Sequence, residues 1–139
     1  MLQMTRKSNL SKRINLDLSL KKFPPIVKAK QGDRDSRTVE ASIFYSNKEY
    51  DIPSNSIVLV SLLKPDKKKV ENTVEEESIE GNKITFPLTE QMLTVAGTSK
   101  CDIKIVNDNG IVSSAAFNVQ VEPQAVPGDA VRSTDEYNS

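Results

Sequence analysis

Phe86-Pro87-Leu88-Thr89-Glu90-Gln91-Met92-Leu93-Thr94-Val95-Ala96-Gly97-Thr98-Ser99-Lys100-Cys101-Asp102-Ile103-Lys104-Ile105-Val106 is the stretch that decides the fold. It reads as the end of one strand, a single short helix near residues 89–96, and then another strand. Thr89 suits an N-cap, because its hydroxyl can accept a hydrogen bond from a free amide of the first turn. Leu88 and Leu93 have the spacing of a hydrophobic staple. Gly97 can take the left-handed conformation that closes a helix. Cys101, Ile103 and Ile105 then alternate with Asp102 and Lys104, the period of a strand with one buried face. One helix inside a chain that otherwise alternates like β-structure is its distinguishing mark.

Upstream, Ile14, Leu16, Leu18 and Leu20 alternate with polar residues until Pro24-Pro25 ends the strand. Residues 26–31 form a second strand, and Gly32-Asp33-Arg34-Asp35 a turn. Val39, Ala41, Ile43 and Tyr45 share one face of a third strand, which sends Tyr45 inward and Phe44 outward. Ser46-Asn47-Lys48 turns the chain, and residues 49–52 pair back briefly. Ile57-Val58-Leu59-Val60-Ser61-Leu62-Leu63 is almost continuously apolar, which predicts a central strand covered on both faces. Lys64-Pro65-Asp66-Lys67 has turn chemistry. Residues 70–79 are charged and weakly patterned and read as one exposed edge strand, where charge resists edge-to-edge pairing.

Downstream, Gly81-Asn82 and Asn109-Gly110 are hairpin signals, the second calling for positive φ at both central residues. Ala115, Phe117, Val119 and Val121 point one way along the last strand. These segments describe an all-β protein, an immunoglobulin-like β-sandwich of about eight or nine short strands with one short helix. Its expected core is Leu16, Leu18, Val39, Ala41, Ile43, Leu59, Ile84, Phe86, Cys101, Ile103, Phe117 and Val119. The expected organisation is a flexible basic arm over residues 1–13, the sandwich over 14–121, and a linker-like or disordered tail over 122–139.

The 139 residues carry 19 basic and 19 acidic side chains, so net charge gives no case for nucleic acid or membrane insertion. The charge is uneven. Arg6, Lys7, Lys12, Arg13, Lys21 and Lys22 precede residue 26 against the single acid Asp17, which marks a candidate docking arm. The tail is acidic, with Glu122, Asp129, Asp135 and Glu136 against Arg132.

With no histidine and one cysteine, the commonest general base is missing and a structural zinc site is excluded. Cys101 falls on the inward face of its strand and reads as a small buried hydrophobe. Glu75-Glu76-Glu77 lies in an exposed setting that would not split the pKa values as acid catalysis requires. Asp33 and Asp35 read as turn formers rather than calcium ligands. Lys67-Lys68-Lys69 has no interleaved aromatics for base stacking and reads as a hairpin tip. The sequence thus predicts no enzyme, no cofactor and no metal.

Lys30-Gln31-Gly32-Asp33, the alternation from Val39 to Tyr45, Lys64-Pro65-Asp66, Gly81-Asn82-Lys83-Ile84-Thr85-Phe86, the helix ending at Gly97, Cys101-Asp102-Ile103 and Ile111-Val112-Ser113-Ser114-Ala115-Ala116-Phe117 occur in that order. The set resembles the N-terminal domain of the phage baseplate upper protein (BppU) family of Gram-positive siphophages and prophages, over roughly residues 16–121. One departure is Lys67, where members often have glycine.

The resemblance makes Gln31, Gly32, Asp33, Lys64, Pro65, Asp66, Gly97 and Cys101 structural motif positions. It implies a virion structural protein that attaches the host-recognition apparatus to the central tail hub. The implied partners are the distal tail protein and, through a longer full-length chain, the receptor-binding protein, with a homotrimer in the virion. Assembly would take place in the bacterial cytoplasm. The alternative is a carbohydrate-binding β-sandwich that touches the host surface itself, with Phe44, Tyr45 and Tyr50 as its platform.

Overall fold

Period-two alternation gives each strand one apolar face, and two such faces are buried by packing one sheet on another. The computed structural model describes residues 11–20, 22–33 and 37–124. Among them are ten strands: β1 (Ser11–Asp17), β2 (Ile26–Lys30), β3 (Thr38–Tyr45), β4 (Lys48–Glu49), β5 (Ile57–Leu63), β6 (Lys69–Thr73), β7 (Ile79–Glu80), β8 (Lys83–Pro87), β9 (Gly97–Val106) and β10 (Val112–Glu122). All but the two-residue β4 and β7 have five residues or more. One sheet has the order β1-β3-β8-β7 with β4 folded back on β3, and the other has the order β2-β10-β9-β5-β6. β1 runs parallel to β3, and β2 runs parallel to β10. Residues 18–25 carry the chain from the first sheet to the second, and the Pro25 carbonyl accepts from Asn118 N at 2.8 Å.

The inward residues of both sheets form one core. Phe86 of β8 meets Phe117 of β10 across it, with ring centroids 6.0 Å apart. Every residue expected in the core is buried except Leu59, which is half-buried. On β5 the inward set is Val58, Val60 and Leu62, so Leu59 points outward with Ile57 and Leu63. The expectation that β5 is covered on both faces is therefore corrected: one face is covered.

Six other readings change. The helix is a single 3₁₀ turn, Glu90–Leu93, and the chain is already extended at Gly97. Residues 70–79 are not one strand. β6 forms a sheet edge, a 3₁₀ turn follows at Glu76–Ser78, and β7 joins the opposite sheet. A chain that must cross between layers cannot stay in one strand. At residues 107–111 only Gly110 has positive φ, because the Asn107 side chain accepts from Asn109 N and Ile111 N and builds a longer loop.

The first strand starts at Ser11, which puts Lys12 and Arg13 in a ladder rather than in an arm. It stops at Asp17, whose carboxylate accepts from Ser19 N and Leu20 N, and Leu20 is exposed. Tyr45, at the end of β3, is exposed and leans on Tyr50, while Phe44 is half-buried.

Asp17 does more than end β1. It also accepts from Ser46 N at 3.0 Å and Asn47 N at 2.8 Å. Both turn residues have positive φ, 51° and 70°, so the carboxylate holds a hairpin turn that is costly for side-chain-bearing residues. Burial pushes this carboxyl up, but the amides of Leu20, Asn47, Ser19 and Ser46 outweigh it and hold it well below the usual range.

Phe117→Ala should cost about 3–5 kcal/mol in denaturant melts, the range for emptying a buried aromatic site. Because the folded-state pKa of Asp17 is depressed, its contribution is complete above the ordinary value of 3.8 and is lost as pH falls from there through the folded-state value. Asp17→Asn should lower stability at neutral pH and flatten its dependence on pH between about 5 and 2, measured as melting midpoints.

Candidate functional site

The sequence motifs scattered between residues 31 and 97 meet at one end of the sandwich. The 3₁₀ turn Glu90–Leu93 is their centre. Thr89 caps it, its hydroxyl accepting from Met92 N at 3.3 Å. Leu88, Met92 and Leu93 are buried beneath it, which anchors the turn to the core. The carbonyls at its far end are taken from the side. Lys64 Nζ donates to Gln91 O at 3.1 Å and to Thr94 Oγ1 at 2.9 Å. Gly32 N donates to Leu93 O at 3.0 Å, and Gln31 Nε2 to Thr94 O at 2.9 Å. A carbonyl satisfied from outside does not need the amide of a further helical turn, and Thr94 and Val95 are β-branched. The helix stops after four residues for these reasons.

The other motif residues shape the surrounding loops. Lys67 N donates to Lys64 O and Lys68 N to Asp66 Oδ1, closing the turn between β5 and β6. Pro65 lies over Gly97, where an added Cβ would sit 3.1 Å from Pro65 Cγ, and Gly97 has φ 119°. Both facts call for glycine. Asp33 accepts from Arg37 Nε at 3.1 Å, and the Arg37 carbonyl accepts from Leu88 N. Gln31 reaches furthest. Its amide donates to Glu122 O at 2.8 Å and its side-chain oxygen accepts from Gln124 N at 3.2 Å. The segment after β10 is thus clamped to the same turn.

Cys101 is not part of this end. It is buried in β9, and burial, helped by the neighbouring Asp102, pushes its thiol up to about 12. It is chemically quiet.

The described residues of the candidate basic arm, Lys12, Arg13 and Lys22, do not form one patch. Arg13 pairs with Glu40 at 3.5 Å on the outer face of the first sheet. Lys12 is half-buried beside Val39, and Lys22 donates to Asn47 at the opposite end of the sandwich. Arg6, Lys7 and Lys21 lie outside the described residues, as do Arg34, Asp35 and residues 125–139. Glu75, Glu76 and Glu77 are exposed. Among the described residues no three His, Cys, Asp or Glu side chains cluster as a metal site.

Sequence reasoning gave Lys64 to turn chemistry and missed that its ammonium is buried. The available signal was its position directly after an apolar strand and before a proline.

The family model of the BppU N-terminal domain matches residues 9–139. Among solved structures, the N-terminal domain of phage TP901-1 ORF48 has a similar fold, with a TM-score of 0.61 and 16% sequence identity over 80% of this chain and 98% of that one. CopC from Methylosinus trichosporium OB3b gives a TM-score of 0.44 at 12% identity, over 76% of this chain and 90% of that chain. The comparison with curated proteins finds no match.

Lys67 occupies a left-handed position, with φ 74°. Lys67→Gly removes a side-chain clash costing roughly 1–2 kcal/mol and returns part of that as chain entropy, so a net gain of about 0.5–1 kcal/mol is expected in chemical denaturation.

Proposed function

This chain belongs to the BppU N-terminal domain family, a family of phage baseplate structural domains, and on that premise we propose that it is a structural adaptor of a phage tail baseplate. In this reading it attaches the host-recognition apparatus to the tail hub, with the distal tail protein as its direct partner. The receptor-binding protein is then held through a longer chain, as a homotrimer in a virion assembled in the bacterial cytoplasm. The domain binds and positions; it does not catalyse. The observation that carries the reading is the family match across residues 9–139.

The architecture supports a tethering role. β10 is an inner strand of its sheet, paired with β9 along most of its length and with β2 over its last five residues. Hydrogen bonds in the antiparallel ladder run perpendicular to the strand. A pull along β10 therefore loads many bonds together rather than one at a time. Ser11, where β1 begins, pairs with Thr38 at the same end of the sandwich as the clamped Gln124. The described chain thus enters and leaves at one end, and no other described segment covers the faces of the two sheets.

The chain, mixed with the distal tail protein of the same genome, should co-elute with it in size-exclusion chromatography and release no product from cell-wall glycans. Its association rate should fall as salt rises if rim charges steer the encounter. Tight binding to purified host saccharide with none to the tail protein would favour the carbohydrate-binding reading.

A further inference from the structure

The two outer faces of the sandwich differ. On the β1-β3-β8-β7 sheet the outward residues are mostly polar, with Phe44 half-buried among them, and Glu40 sits between Arg13 and Lys83 at 3.5 and 3.8 Å. On the β2-β10-β9-β5-β6 sheet the outward face is apolar at the end where β5 and β10 begin and β9 stops. Ile57, Val106 and Val112 form one row across three strands, and Leu59 occupies the next row. Ile57 and Val112 are each 55% exposed. Phe23 stands on the Pro24-Pro25 segment, 98% exposed, beside a depression of about 170 Å³ lined by residues of both sheets, among them Asn15, Asp17, Asp102 and Ala116. Nearly free exposure of a phenylalanine costs hydrophobic free energy that burial would recover.

β5 makes the same point from the sequence side. Its run of apolar residues has the composition of a strand covered on both faces, and this chain covers one.

From these observations we propose that the outer face of the β2-β10-β9-β5-β6 sheet is the docking surface for a protein partner that brings an apolar patch to the Ile57–Val106–Val112 row and acidic groups to the lysines beside it. The inference rests on the adaptor reading above and names the surface that performs it. The chemistry of the partner follows from charge. Lys104 lies beside Leu59, Lys100 beside Leu63, and Lys69 on the far side of Leu63. Of the acids on this face, Glu71 is engaged by the Ser61 hydroxyl at 2.7 Å. The Oδ1 atom of Asp102 is buried with no hydrogen-bond partner among the described residues. A second copy of this chain fits less well, because face-to-face pairing brings the β9 lysines of both copies into one interface. Phe23 is the expected anchor, since protruding aromatics carry a large share of interface energy.

The test measures binding to the distal tail protein of the same genome by surface plasmon resonance. Ile57→Asp combined with Val112→Asp should weaken binding by about a hundredfold, and Phe23→Ala by at least about tenfold. Thr85→Lys, on the opposite face, should leave it within about twofold, as surface changes away from a contact do. All variants alter exposed residues and should melt like the unaltered chain. Equal binding by the face variants, or loss only in Thr85→Lys, overturns the proposed surface while leaving the adaptor reading intact. No binding by the unaltered chain overturns the adaptor reading and the surface with it. Self-association by light scattering that disappears in the double variant would put a second copy on this face and overturn the proposed partner.

Discussion

An ammonium group removed from water is the constraint on which the motif end of this domain depends. Lys64 is 8% exposed. A buried cation is costly unless oxygen atoms accept its hydrogen bonds. Here the oxygens come from Gln91 and Thr94, and those atoms are in reach only if the chain turns once after Thr89 and then stops. The turn in turn exposes Leu93 O and Thr94 O to Gly32 and Gln31. Through Gln31 the arrangement extends to Glu122 and Gln124, where the described chain leaves the domain. Three segments distant in sequence are therefore held by one short piece of helix. Its own few hydrogen bonds could not hold it, because a turn this short is unstable without tertiary support.

The opposite end is organised by a charge of the other sign, and in the reverse manner. Asp17 is an acceptor surrounded by backbone donors, whereas Lys64 is a donor surrounded by acceptors. Asp17 ends β1, starts the crossing to the second sheet and holds the β3–β4 turn. Between the two ends the sandwich is ordinary apolar packing. The packing fixes that the sheets meet; the two charged groups fix where strands stop and where the chain changes layer.

That division explains what could be read from sequence. Alternation exposes a residue's neighbours directly, so the inward sets of β1, β3, β8, β9 and β10 were legible residue by residue. The Thr89 cap was legible too, being a local contact. The length of the helix was not, because the groups that end it, Lys64, Gly32 and Gln31, come from far away in the chain. The same holds for residues 70–79, whose break is imposed by a change of sheet, and for Tyr45, which lies just past the reach of the core. Asn109-Gly110 misled for a local reason: Asn107, two residues earlier, supplies a side-chain acceptor that rebuilds the turn. The motif positions were legible as an ordered set but not as a place, since nothing in their spacing says that Gln31, Lys64 and Gly97 converge.

The mismatch at β5 differs in kind. A sequence pattern records the surroundings in which a chain spends its working life, including those supplied by other chains. Val58, Val60 and Leu62 face this domain's own core, and Ile57, Leu59 and Leu63 face away from it. A solvated antiparallel sheet usually shows polar residues on its outer side, as β3 does with Glu40 and Ser42. The polar residues that β5 lacks are present one strand away, in Lys100, Asp102 and Lys104 of β9. The outer face therefore combines an apolar row with nearby charge, the composition of an interface centre and its rim. A domain whose chain enters and leaves at one end, and whose two faces are chemically unlike, has a direction built into it.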